Sequence, residues 1–200
     1  MPNIMVFDLF SVIERACANS NQNVRAVVSF MNDTRVFIHG LESSSRGTKG
    51  VFFRERYPDM VIQDFHGTLG ERMDKLNSLL SEKTSLIMVG SSYGGLMAAT
   101  FAFNNKERVK KLILLAPALV FREFEPYLGK STDTPVIIYH GKNDDVVPLT
   151  PVHEIACKVF KNLTFNMVDD DHILSKTFKS IDWDNLLETG NQGNSYTIKL

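Results

Sequence analysis

Residues 85–103 read Ser85-Leu-Ile-Met-Val-Gly90-Ser91-Ser92-Tyr93-Gly94-Gly95-Leu-Met-Ala-Ala-Thr-Phe-Ala-Phe103. An unbroken apolar run ends at Gly90, and a second one follows Gly94. The first has the length of a strand buried on both faces. The second is long enough for a helix, which Asn104 and Asn105 end. Gly90-Ser91-Ser92-Tyr93-Gly94 must therefore turn the chain from strand to helix within a few residues. Glycine-x-serine-x-glycine in that setting is the pattern of a nucleophile elbow. Such a turn lifts the Ser92 hydroxyl clear of the sheet. It also sets the hydroxyl at a helix N-terminus, where backbone N–H groups face developing negative charge. Glycines flank the turn because a Cβ there would clash. A Gly/Ser-rich loop is the competing reading, and the flanking strand and helix patterns speak against it.

Outward from this stretch, short apolar segments alternate with amphipathic ones. Strands are expected at Val24–Phe30, Arg35–His39, Met60–Phe65, Leu86–Gly90, Leu112–Ala116, Val136–His140 and Leu163–Val168. The last five are rich enough in Val, Ile, Leu and Phe to be buried on both faces. Helices are expected at Leu69–Ser81, Gly94–Phe103, Pro151–Lys161 and Ile173–Leu187. In the first of these, Met73, Leu76, Leu79 and Leu80 share one face. The alternation predicts an α/β protein whose mostly parallel, twisted sheet is covered by helices on both faces, with right-handed crossovers. Val24–Phe30, a short turn and Arg35–His39 predict an antiparallel start. Three parts follow: a helical extension over 1–24, the α/β domain over 25–188, and a polar, mobile tail over 189–200. In the extension Met5, Leu9, Val12, Ile13 and Ala16 recur at helical spacing, a face that could cover the sheet or meet a second copy of the chain as a homodimer.

The 200 residues carry 22 Lys+Arg against 23 Asp+Glu, a net charge of −1. No basic excess exists to favour nucleic acid or anionic membranes. With 44% hydrophobic residues the chain can build a core, which excludes disorder as its main state. Cys17 and Cys157 cannot form a disulfide framework and suit a reducing compartment, so a cytoplasmic location is expected. No apolar run nears the roughly 20 residues that span a bilayer. The N-terminal stretch lacks a basic n-region and reads as a helix, not a signal peptide.

Three further motifs end expected strands. Ile38-His39-Gly40-Leu41 can aim a backbone N–H at the elbow; the Leu41 and Tyr93 N–H groups together would make an oxyanion hole. His140-Gly141-Lys142-Asn143-Asp144-Asp145 offers an acid to orient a histidine base, with Asp144 at the expected place and Asp145 as its competitor. Asp169-Asp170-Asp171-His172 offers the base. Of the five histidines, His39 and His140 precede loop glycines and read as structural. His153 lies within a helix, and His66 follows an earlier strand. His172 alone sits at a strand end beyond both Ser92 and Asp144. Asp170 and Asp171 beside it are expected to act electrostatically on its imidazole. Four adjacent residues cannot all reach one ion, so no metal is expected.

The order Ser92, Asp144, His172 is that of the α/β-hydrolases. The chain resembles that superfamily over roughly residues 35–187, through the IHG turn, GSSYGG, HGKNDDVVP and the DDDH loop. HGLESSSRGTKG and GSSYGG are especially similar to the small bacterial esterases of the YqiA-like group. The resemblance implies a reduced form of an eight-stranded-type sheet and serine-ester chemistry without a cofactor. It assigns Ser92 as nucleophile, Asp144 as acid, His172 as base, and the Leu41 and Tyr93 N–H groups as oxyanion donors. The expected substrate is a small acyl ester or thioester. Amide or C–C bond cleavage, or ligand binding without turnover, are the alternatives. Relatives often carry Gly just before the histidine, where this chain has Asp170 and Asp171. Only Pro117–Thr134 separates two strands where larger lipases insert a cap, so an open site is expected. Phe121, Phe124 and Tyr127 lie in that stretch as candidates for an acyl groove.

Overall fold

Residues 33–188 are described by the computed structural model. The expectations for the 1–24 extension and its dimer contact, for a strand at Val24–Phe30 and for the 189–200 tail lie outside them. Six strands form one sheet among the described residues: β1 (Thr34–Ile38), β2 (Val61–Ile62), β3 (Leu86–Ser91), β4 (Val109–Leu115), β5 (Val136–Gly141) and β6 (Leu163–Val168). Their order is β2-β1-β3-β4-β5-β6 and every pairing is parallel. Helices α1 (Thr48–Arg56), α2 (Leu69–Leu79), α3 (Tyr93–Asn104) and α4 (Leu149–Val159) connect successive strands, and a 3-10 segment, Arg122–Tyr127, joins β4 to β5.

Successive strand side chains point to opposite faces, so the sheet builds two apolar cores. Val36, Ile38, Met88, Leu112, Leu114 and Ile138 pack with Leu76 of α2, with most of α3, and with Val152, Ala156 and Val159 of α4. Phe37, Ile87, Val89, Ile113 and Leu115 pack on the other side with Phe53 of α1 and with Phe178 and Trp183. Helix α3 is buried on all sides except at Asn104, which explains its nearly continuous apolar sequence.

Three expectations need correction. Ile173–Leu187 is not one helix. It passes through Leu174 at φ 57°, a 3-10 turn at Phe178–Ser180 and a single-turn helix α5, Trp183–Leu186. The Asp170 carboxylate accepts the Lys176 and Thr177 N–H groups at 3.0 and 2.7 Å. Trp183 packs edge-on to Phe53 at 4.7 Å and donates its Nε1–H to the Phe178 carbonyl. These tertiary anchors outweigh local periodicity. Helix α1 was not expected, because Gly50 and Phe53 alone are buried in it and no amphipathic repeat marks it. Finally, β2 has only two residues, and β6 has no buried residue. Among the described residues both are edge strands, with a partner on one side only.

Candidate active site

The chain leaves β1 for one edge of the sheet at β2, then returns to β3 and runs to the other edge. Loops at the C-terminal strand ends diverge at such a switch point, where parallel sheets hold ligands. The loops after β1, β3, β5 and β6 bring His39-Gly40-Leu41, Ser92, Asp144 and His172 to this edge.

Ser92 sits between β3 and α3 with φ 53° and ψ −117°, a region that costs a side-chain-bearing residue of order 1–3 kcal/mol. Neighbouring backbone holds it there. Its N–H donates to the Leu115 carbonyl at 2.8 Å, and its own carbonyl accepts N–H groups of Gly95, Leu96 and Ala118. The flanking glycines are dictated by close approach. A Cβ on Gly94 would strike the Ile38 carbonyl, and one on Gly90 would strike the Gly94 carbonyl.

His172 joins the other two side chains. Its Nδ1 lies 2.8 Å from Asp144 Oδ2, and its Nε2 lies 3.0 Å from Ser92 Oγ. A carboxylate only accepts, so Nδ1 carries the proton and Nε2 receives the Ser92 hydroxyl hydrogen. The Asp144 side chain is fully buried. Its Oδ1 accepts the Val146 and Val147 N–H groups at 3.0 and 2.8 Å. Asp145 is exposed and lines the cavity without joining this network.

His39 is buried and makes two bonds: Nδ1–H donates to the Gly40 carbonyl at 2.7 Å, and Nε2 accepts the Phe65 N–H at 2.9 Å. Burial lowers its pKa, which keeps this neutral tautomer. The ring thus fixes the turn that carries Leu41. Gly40 lies against the elbow, where an added Cβ would come within 3.3 Å of Ser92 Cβ. Neither the Leu41 nor the Tyr93 N–H has a hydrogen-bond partner among the described residues. Both residues line a cavity of about 590 Å³ together with Ser92 and His172.

Seven large hydrophobic side chains are exposed among the described residues, and Leu41, Phe121, Val146 and Ile173 line this one cavity. Phe124, by contrast, is fully buried in the core. Tyr127 packs in a tilted geometry against Phe103 and Phe124 and donates to Asn104, away from the cavity. Of the three aromatic candidates only Phe121 reaches the site, because the 3-10 segment turns the other two inward.

The Asp170 carboxylate is buried and hydrogen-bonded within its own loop. Burial alone would raise its pKa, but the Thr177, Asp171 and Lys176 N–H groups outweigh burial and bring it down to about 2. It holds the loop after His172. Lys49 of α1, missed at the sequence level, ties the same loop by donating to the Ile173 carbonyl at 2.6 Å. Among the described residues no three His, Cys, Asp or Glu side chains gather as a metal site. None of the described helices is long and apolar enough to cross a membrane.

The family model described as the alpha/beta hydrolase fold matches residues 40–133, which include Gly40 and the elbow but stop before Asp144. A candidate hydrolase from Agrobacterium vitis S4 superposes with a TM-score of 0.66 at 19% identity, over 80% of this chain and 89% of its own. Est1E from Butyrivibrio proteoclasticus, with ferulic acid bound, gives 0.64 at 17% over 79% and 88%. Alpha/beta hydrolase domain-containing protein 10 from mouse gives 0.61 at 20% over 72% and 83%. The chain is an α/β-hydrolase-fold protein. No curated protein matches it in sequence.

Within this hydrolase fold the sheet is reduced to six strands among the described residues, and the β4–β5 connection holds only the short 3-10 segment where a cap would stand. His140, which the sequence reads as structural, is fully buried and hydrogen-bonded to the Val147 carbonyl, and its Nε2 also lies 3.1 Å from Asp144 Oδ2.

Proposed function

We propose that this hydrolase-fold protein is a serine hydrolase that cleaves a carboxylic ester or thioester through an acyl-enzyme. One observation carries the reading: a single imidazole, His172, stands 3.0 Å from Ser92 Oγ through Nε2 and 2.8 Å from Asp144 Oδ2 through Nδ1. In the first step Ser92 Oγ bonds to the acyl carbon while Nε2 takes its proton. Asp144 orients the ring and stabilises the imidazolium that forms. The Leu41 and Tyr93 N–H groups receive the oxyanion. The carbonyl then re-forms, the bond to the leaving oxygen or sulfur breaks, and Nε2 returns its proton to that atom. Water repeats the sequence on the acyl-enzyme and regenerates Ser92.

The apolar side chains at the cavity mouth favour a substrate with an apolar acyl part. Est1E, a protein of similar fold, holds ferulic acid, which agrees with an ester of an apolar or aromatic acid as substrate. A fluorophosphonate probe tests the reading. It should label the wild-type protein at Ser92 and leave Ser92→Ala unlabelled. A panel of p-nitrophenyl esters and matched thioesters of increasing acyl length then reads the bond and the chain. A wild-type protein that neither labels nor turns over any member overturns the proposal.

A further inference from the structure

His140 closes β5 and is fully buried. Its Nε2 lies 2.9 Å from the Val147 carbonyl and 3.1 Å from Asp144 Oδ2. Both are acceptors, so Nε2 carries a proton; it donates that proton to the Val147 carbonyl, and Asp144 Oδ2 lies close beside it. Its Nδ1 is buried without a partner among the described residues. A proton on Nδ1 would be an unsatisfied buried donor, which is costlier than an unsatisfied buried lone pair. Burial also lowers the pKa of this ring. His140 is therefore a neutral imidazole in the Nε2–H form. Its plane lies nearly parallel to Phe165, at 6.3 Å and 19°.

Asp144 Oδ2 thus lies against two imidazoles, hydrogen-bonded to His172 at 2.8 Å and 3.1 Å from His140 Nε2, while the two loop N–H groups hold Oδ1. We propose that His140 is a positioning residue that acts through Asp144. By holding the Val147 carbonyl of the Asp144 loop and setting its N–H edge against the same oxygen, it fixes the carboxylate toward His172 and limits how strongly Asp144 favours the imidazolium form of that base. This rests on the catalytic reading of Ser92, Asp144 and His172. The other charged side chains lining the cavity with His172 are Glu42, Lys49, Asp145 and Asp171. His153 of α4 stands on the Phe165 ring.

The sign of the effect follows from the N–H dipole, whose positive end lies beside Oδ2. Without it Oδ2 attracts a protonated His172 more strongly, so the acid limb of kcat/KM moves to higher pH. For His140→Phe the expected shift is about half a pH unit upward, with kcat/KM at neutral pH down about tenfold as Asp144 loses its fixed orientation. His140→Gln restores a donor near Nε2 and should return the limb toward its wild-type position. Rates are normalised to sites titrated by the fluorophosphonate probe, so a merely structural loss lowers the titre without moving the limb. Nitrogen-15 NMR of the wild-type protein reads the tautomer directly and needs no variant. Wild-type protein that fails to label refutes the catalytic reading. Labelled protein whose limb stays put in His140→Phe, or whose His140 is the Nδ1–H form or titrates between pH 5 and 8, overturns the proposal for His140 alone.

Discussion

Asp170→Asn should cost stability well beyond the loss of one surface charge, because this carboxylate organises the loop that holds His172. It is 2% exposed and accepts the Asp171, Lys176 and Thr177 N–H groups at 2.9, 3.0 and 2.7 Å. A carboxyl held at about 2 instead of 3.8 corresponds to ~2.4 kcal/mol at 1.36 kcal/mol per unit. In the asparagine variant an amide NH₂ also faces N–H donors, so ~3 kcal/mol in all is expected. For a chain of this size that is about 6–12 °C in Tm. Trp183, the single tryptophan, packs against Phe178 at the end of this segment, so its fluorescence in urea reports the loss. The pH dependence carries a sign. The folded-state pKa is depressed, so the contribution is complete above the unfolded value of 3.8 and is lost as pH falls through it toward about 2. The gap between wild type and variant should be steady from pH 5 to 7 and shrink below pH 4. A gap under about 1 kcal/mol at pH 7, less than one charge-assisted hydrogen bond, refutes the reasoning. So does a gap as large at pH 2.5 as at pH 7.

Ser92→Ala should lower ester turnover about 10³-fold or more with an unchanged far-ultraviolet spectrum, whereas Ser91→Ala should keep most activity; the opposite ranking in a p-nitrophenyl ester assay would misplace the nucleophile. Asp144→Asn should cost about 10²–10⁴ in kcat through the wrong histidine tautomer, and Asp145→Asn little. Steady-state kinetics that rank them the other way would remove Asp144 as the acid. Gly94→Ala should fail to give soluble folded protein, since its methyl group has no space beside the Ile38 carbonyl. A well-folded, fully active Gly94→Ala variant would show that the elbow can open. Wild-type kcat/KM should rise with pH through one ionisation, because His172 must be neutral to accept the Ser92 proton, and a profile flat from pH 5 to 9 would rule out that base.

What the amino-acid sequence determined by itself is local. The elbow is written within residues 85–103, where an apolar strand, two glycines forced by close contact and an apolar helix follow one another. The alternation of apolar runs likewise points to a parallel α/β sheet, because parallel neighbours need crossovers of helix length and the stretches between the runs supply them. Such features are written in residue patterns a few positions long, although the contact that forces Gly94 is with the Ile38 carbonyl on β1. Tertiary structure alone decided what depends on distant partners. Asp144 and Asp145 are chemically the same at sequence level, and only the fold turns Asp144 toward His172, 28 residues on, and leaves Asp145 in solvent. The same holds for Phe121 at the cavity while Phe124 is buried, and for His140 on the Asp144 carboxylate. It holds too for Ile173–Leu187, whose helical spacing yields to Asp170 and to Trp183 against Phe53. Side-chain periodicity states which face of an element is apolar. Which carboxylate, ring or loop meets it across the sheet is set by the strand order, because that order alone brings residues 80 positions apart, such as Ser92 and His172, into contact.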